Sequence, residues 1–139
     1  MNKQVDSLRI DDIKRLKSSG NNIKDFYITY YTILRPFHLL PDACITFLAH
    51  VLEKRYSYIK NGDSEEIADM KTMSVDSRKA IRKELGITIT HMLYLFGRIR
   101  KAKILIGNSF NLAMVPKILE NSNGVYSLCF VLNYPDGQQ

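Results

Sequence analysis

The chain has 139 residues, of which 45% are hydrophobic and 24% are charged. This length and balance are those of one soluble globular domain, and they exclude a disordered chain. The first twenty residues are polar and charged, and no apolar run approaches the roughly 20 residues of a membrane span, so we expect neither a secretory signal nor a transmembrane helix.

The N-terminal part of the chain contains two segments with helical patterns. Residues 5–17 are loosely amphipathic, and the polar run at 18–22 ends that pattern. Residues 24–37 fit the spacing of a helix and also the alternation of a strand, and we favour the helix. Residues 1–38 are therefore predicted to form an N-terminal helical extension. The aromatic side chains in this segment favour a core or protein contact over base stacking: Phe26, Tyr27, Tyr30 and Tyr31.

A longer amphipathic helix is predicted from Pro41 to about Tyr58. Proline suits the first helical turn, and Gly62 suits a position just past the end. One face of this helix is apolar: Cys44, Phe47, Leu48, Val51 and Leu52. The acidic segment 61–73 that follows is predicted to be a loop with room for one short helical turn, placed away from any phosphate backbone.

Residues 77–105 predict two helices joined by a tight turn. Gly86 suits the left-handed position that ends a helix, and Thr88 suits the N-cap of the next one. In the first helix Ser77, Ile81 and Leu85 are predicted to point inward. The second helix has an apolar stripe: Ile89, Met92, Leu95, Phe96, Ile99 and Ala102. Its opposite, polar face is predicted to be free to enter a groove: Thr90, Tyr94, Gly97 and Lys101.

Two β-patterns follow these helices. Gly107 and Asn108 lie between short β-prone runs and predict a tight hairpin. Residues 125–134 predict a strand that is apolar on both faces, which is typical of a central strand or of one covered by a partner chain. A helix-turn-helix followed by a hairpin predicts an α+β fold, mainly helical: a winged helix-turn-helix domain over residues 39–139, with the hairpin as wing and a C-terminal strand.

This order of motifs resembles a known group of proteins. The run LLPDACITFLAHVL at 39–52 is followed by MSVDSRKAIRKELGITITHMLYLFGRIRKAKIL at 73–105 and by a hairpin ending in a proline. Over residues 26–134 the chain resembles small winged-helix proteins of tailed bacteriophages, especially crAss-like phages. The resemblance implies a phage-encoded, non-enzymatic protein with a role in DNA binding or in the virion, located in the host cytoplasm or the virion.

The positive charge is concentrated in one segment. The formal net charge is +6, and residues 71–105 carry +7 of it, which leaves −1 for the rest of the chain. A localised basic face predicts a polyanionic partner, of which nucleic acid is the commonest, because each cation near a phosphate releases a counterion. A solvated basic surface is the alternative, and the coincidence with a recognition-helix pattern favours nucleic acid.

Catalytic and metal-binding patterns are lacking in the sequence. The three histidines stand alone, the glycines are scattered, and no serine lies in a nucleophile elbow. We therefore predict a protein that is not an enzyme, with no cofactor, metal or small-molecule substrate. Cys44 and Cys129 fall on apolar faces of different elements and are predicted to be buried free thiols in a reducing compartment, while a bridge depends on their geometry.

Double-stranded DNA is the predicted partner, bound for regulation, packaging or organisation of the DNA. Base edges and phosphates are expected near Thr90, His91 and Tyr94, after the cap at Thr88. The predicted backbone contacts are cations on both helices, with the wing reaching the flanking groove through Asn108: Lys79, Arg82, Lys83, Arg98, Lys101 and Lys103. No Arg, Asn or Gln lies mid-helix for a bidentate pair, so binding should be mainly electrostatic.

The alternative is a structural subunit of a phage virion or head-tail assembly, because a winged helix also serves as a protein-protein module. The aromatic N-terminal segment and the two-faced strand at 125–134 favour this reading. It predicts a homo-oligomer or a complex with phage structural proteins.

Overall fold

A computed structural model describes residues 22–120 and 126–127. The helices are α1 (Ile23–Ile33), α2 (Arg35–His38), α3 (Asp42–Lys60), α4 (Glu65–Thr72), α5 (Val75–Leu85) and α6 (Ile89–Lys101). The strands are β1 (Leu105–Ile106), β2 (Ser109–Phe110), β3 (Leu119–Glu120) and β4 (Tyr126–Ser127). The described chain is thus mainly helical with small antiparallel strand pairs, which confirms the α+β class.

Asn22–Pro116 forms one compact unit, and the boundary predicted between residues 38 and 39 falls inside it. The pair β3–β4 belongs to a second unit and is antiparallel, with Leu119 opposite Ser127. The predicted helix at 5–17, Cys129 and most of the predicted strand at 125–134 lie outside the described residues.

Helix α3 is the centre of the first unit. It packs against α1, α4 and α6, and its predicted apolar face is buried together with Ile45 and Ala49. Helix α1 covers α3 with Phe26, Tyr27 and Tyr31, which confirms the predicted helix and places these three aromatics in the core, while Tyr30 is half-buried. Burial of side chains of this size is the main stabilising term for a unit this small.

Side chains that accept backbone hydrogen bonds set the helix starts. Ser64 caps α4, Ser74 caps α5, and Thr88 caps α6 by accepting from the backbone N–H of His91 at 3.1 Å. Gly86 ends α5 with a φ of 65° and donates its N–H to the carbonyl of Arg82. These caps confirm the predicted turn between α5 and α6, because each satisfies backbone groups that a helix end leaves free.

The prediction of a loop at 61–73 is wrong, because most of this segment is the two-turn helix α4. The Ser64 cap and two glutamates in the first turn favour helix there. The helix buries Ala68, Asp69 and Thr72 against α3 and the hairpin. These small or polar side chains give little apolar periodicity, so the sequence pattern did not reveal the helix.

The hairpin follows α6 as predicted. Leu105 pairs with Phe110 and Ile106 with Ser109, and Gly107 takes the positive φ of 63° that the two-residue turn requires. None of the helices in the described ranges is long and apolar enough to cross a membrane.

Candidate nucleic-acid interface

Helix α6 turns one face to the core and the other to solvent. Met92, Leu95, Phe96 and Ile99 are buried against α3, as their spacing predicts. The residues predicted to lie opposite are exposed, which confirms the predicted outward face of the helix: Thr90, Tyr94, Gly97 and Lys101. A Cβ atom added at Gly97 would meet no neighbouring atom within 4 Å, so the space over this position is open.

Three positions of the predicted stripes differ from expectation, and one of them, Ala102, is half-buried at the C-cap that follows α6. Ile89 is 56% exposed, because it occupies the first position of α6, before the turn that packs on α3. Leu85 is only half-buried, because it ends α5 next to the Gly86 turn. Ser77 is buried as predicted, and its hydroxyl donates to the carbonyl of Lys71 at 2.7 Å.

The N-terminal half of α6 carries the predicted groove-reading residues. Thr90 and His91 are exposed, and the His91 ring lies edge-on to the ring of Tyr94, with centroids 6.5 Å apart. The hydroxyl of Thr88 is already engaged as the helix cap. This half therefore offers two aromatic groups and one free hydroxyl, a set that contacts phosphates or sugars more readily than it discriminates bases.

The predicted phosphate-contacting cations lie on α5 and around the end of α6. Lys79, Lys83, Lys101 and Lys103 are exposed, and Arg82 and Arg98 are half-buried. The ion pairs found within the described residues involve other cations, and none of these six has a carboxylate within 4.0 Å there. Their charges are available to an anionic partner.

Arg98 is held in place by its own helix. Its Nη1 donates to the hydroxyl of Tyr94 at 3.1 Å, one helical turn earlier. Arg98 and Lys101 also line a depression of about 480 Å³ whose other side is formed by residues 37–40. Lys103 has a φ of 65°, and its carbonyl accepts from the side-chain amide of Asn111 at 2.9 Å, which fixes the chain as it leaves α6.

Arg100 has a structural role that the sequence pattern missed. Its Nε donates to the carbonyl of Gly107 at 2.9 Å, and its Nη2 donates to the side-chain oxygen of Asn108 at 3.1 Å. The guanidinium also lies over the Phe96 ring, 5.7 Å from its centroid. Arg100 therefore ties the hairpin to α6, and the Asn108 side chain predicted to reach DNA is partly used within the protein.

Apolar side chains interrupt the solvent face of α6. Ile89, Leu93 and Tyr94 are each more than half exposed, and Ile106 on the hairpin is 58% exposed. The sequence pattern gave no prediction for Leu93. Its helical position lies off the buried stripe, and this spacing could have predicted that it is exposed. Exposed apolar groups on one helix face are typical of protein contacts.

Reactive and metal-binding groups give no second site in the described ranges. No cluster of three or more His, Cys, Asp or Glu side chains there could hold a metal ion. Cys44 is a buried free thiol, as predicted. Burial raises its pKa to about 11, against the opposing charge of Arg98, so this thiol is a poor nucleophile.

His38 closes the turn at the end of α2. Its Nδ1 accepts from the N–H of Leu40 at 2.9 Å, so the ring proton is on Nε2, which lies 2.6 Å from the carbonyl of Tyr31 and donates to it. Burial, opposed by the bond to Tyr31 and assisted by Arg35, lowers the pKa of His38. A second proton on Nδ1 would face the Leu40 donor and break this turn.

We expect acid to destabilise the protein through His38. Because the pKa is lower in the folded state than the usual 6.5, the stabilisation is present above pH 6.5 and is lost as the pH falls towards the folded-state pKa. Urea unfolding of the wild type at pH 7.5 and 5.5 measures this loss. Burial lowers the pKa of His50 as well. His38→Gln should nevertheless reduce the difference in unfolding free energy between pH 7.5 and pH 5.5 more than His50→Gln does. An unchanged pH dependence in His38→Gln contradicts the assignment.

Comparison with protein-family models, with curated proteins and with solved structures finds no match to this chain.

Proposed function

We propose that the chain is a phage-type winged-helix protein that binds double-stranded DNA through α6 and the cations beside it, without catalysing a reaction. In this proposal α3, α5 and α6 are the three helices of the domain, and β1–β2 is the wing. The carrying observation is the outward face of α6 flanked by cations that lack carboxylate partners in the described residues. Such a surface favours phosphate binding because counterions are released when phosphates replace them.

The proposed binding is mainly independent of DNA sequence. The middle of the exposed face carries Leu93, Tyr94 and Gly97, and none of these can form the bidentate hydrogen bonds that identify a base pair. Contacts to about five phosphates should give a log-log salt slope of roughly −4 to −5. A role in organising or packaging DNA fits this property better than recognition of a single operator.

We expect Arg98→Ala with Lys101→Ala to weaken duplex binding and flatten its salt dependence. Loss of two phosphate contacts should change the slope by about 2, and this is measured by anisotropy of a labelled 20-bp duplex at several salt concentrations. The matched control is Lys24→Ala with Lys117→Ala, which removes the same charge outside the α5–α6 segment. If both double variants bind the duplex equally well, Arg98 and Lys101 are not part of the DNA interface.

A structural role in a virion or head-tail assembly is the second candidate. It is favoured by two apolar side chains on the exposed face of α6 that a duplex would not bury, Ile89 and Leu93. In that case the purified protein should form a ring or larger oligomer through α6. A monodisperse monomer in light scattering, combined with tight duplex binding, counts against assembly and favours the first candidate.

A further inference from the structure

The depression between α2 and the end of α6 has two chemically different walls, and we name it the α2–α6 groove. One wall is the turn that carries Phe37 and Leu39, and the other carries Arg98 and Lys101. Its volume of about 480 Å³ lies in the range of sites that enclose a small ligand or a few side chains of a peptide.

The apolar wall is formed by a turn in an uncommon conformation. Leu39 has a φ of 57°, a left-handed position that disfavours residues with a Cβ. The turn is held by the bond from the Leu39 N–H to the carbonyl of Arg35 at 2.7 Å and by the two ring bonds of His38. Strained positions of this kind cluster at binding sites, where surrounding contacts maintain them.

Two large apolar side chains at this turn face solvent. Phe37 is 79% exposed and Leu39 is 73% exposed, the highest values among the large hydrophobic side chains that the structure describes. Adjacent exposed apolar groups of this size favour an occupant that removes them from water.

The opposite wall is cationic and without internal neutralisation. Neither Arg98 nor Lys101 has a carboxylate within 4.0 Å in the described residues, whereas Arg35 near the turn is paired with Asp42. An occupant that complements both walls has an apolar side chain next to carboxylates. A duplex could neutralise Arg98 and Lys101, but its sugar-phosphate backbone offers no comparable apolar group for Phe37 and Leu39.

We propose that the α2–α6 groove binds an acidic peptide segment of a partner protein. An aliphatic or aromatic side chain of the segment packs on Phe37 and Leu39, and neighbouring carboxylates pair with Arg98 and Lys101. The groove shares Arg98 and Lys101 with the proposed DNA interface, but its apolar wall lies outside that interface, so peptide binding does not depend on DNA binding.

The probe is a fluorescein-labelled peptide with a central Leu-Phe pair and two aspartates on each side, titrated with the full chain. Leu39→Gly with Phe37→Ser should weaken its binding by about tenfold or more, since both anchors are lost. Glycine favours the conformation of residue 39, so this variant keeps the turn and should fold. Met70→Ser with Leu112→Ser removes two other exposed apolar side chains and should leave binding unchanged.

Charge exchange provides an independent test. Arg98→Glu with Lys101→Glu should lose the acidic peptide and bind a peptide with lysines in place of the aspartates. A peptide with serines in place of Leu-Phe should bind about tenfold more weakly to the wild type. The proposal is overturned if the wild type does not bind the acidic peptide, if the serine peptide binds equally, or if vesicles containing anionic phospholipid bind in its place with the same dependence on Phe37 and Leu39.

The two proposals fail in different ways. Leu39→Gly with Phe37→Ser should leave duplex binding unchanged, whereas Lys79→Ala with Lys83→Ala should reduce duplex binding and leave the peptide unaffected. The two sites share Arg98 and Lys101 and differ in their other residues. Loss of peptide binding in the second variant, or of duplex binding in the first, contradicts this division of the other residues.

Discussion

Replacing Asp69 by alanine should lower the free energy of unfolding by about 3–5 kcal/mol, the cost of breaking a buried ion pair. Asp69 and Arg55 are 7% and 4% exposed, and Asp69 Oδ1 accepts from Arg55 Nε at 2.6 Å. The second carboxylate oxygen accepts from the backbone N–H of Phe110 at 3.1 Å. Without the carboxylate, a buried guanidinium and a buried backbone donor would both lose their acceptor.

The Asp69 carboxylate connects three elements. Arg55 belongs to α3, Asp69 to α4 and Phe110 to β2, and the Arg55 guanidinium also lies 5.6 Å from the centroid of the Phe110 ring. Nη2 of Arg55 is buried and makes no hydrogen bond within the described residues, so loss of Asp69 would leave the buried guanidinium without its Nε acceptor as well. The variant should therefore loosen the hairpin as well as α4.

Urea unfolding of Asp69→Ala, Arg55→Ala and the double variant measures this coupling. The double variant should cost less than the sum of the two single variants, because removing both charges leaves neither one buried alone. Asp63→Ala breaks a more exposed pair with Lys71 and should cost at most about 1 kcal/mol. If Asp69→Ala costs no more than Asp63→Ala, the buried pair does not hold these elements together.

Local side-chain chemistry explains which parts of the fold the sequence predicts well. The cap at Thr88, the left-handed Gly86 and the Gly107 turn each depend on a few neighbouring residues, and all three are found as predicted. Helix α4 depends on distant partners, since the buried Asp69 is stable only beside Arg55 and the hairpin. Apolar periodicity cannot predict such a helix, because its buried residues are small or polar.

The candidate site shows the same division. Helical periodicity predicts that Tyr94 and Lys101 point outward, and they do. It does not predict that Arg100 bonds the hairpin, because that contact depends on how the hairpin folds back on α6. The sequence pattern also could not predict the left-handed turn at Leu39, because leucine does not favour that conformation.

Replacing Phe96 by alanine should cost about 3–5 kcal/mol of unfolding free energy, which is a large part of the total for a domain of this size. Phe96 is 1% exposed and meets the ring of Phe47 edge-to-face, with centroids 4.9 Å apart. This contact joins α6 to α3, so the variant leaves a cavity where the proposed interface helix is anchored. It also removes the ring beneath Arg100, which holds the hairpin.

Leu93→Ala is the control for Phe96→Ala, because it shortens a side chain on the same helix that is 53% exposed. A surface change of this kind usually alters stability by no more than about 0.5 kcal/mol. Urea unfolding of the two variants therefore compares the core face of α6 with its solvent face. Equal losses would mean that Leu93 is covered in the native protein, and the outward face on which both functional candidates depend would then be unavailable to a partner.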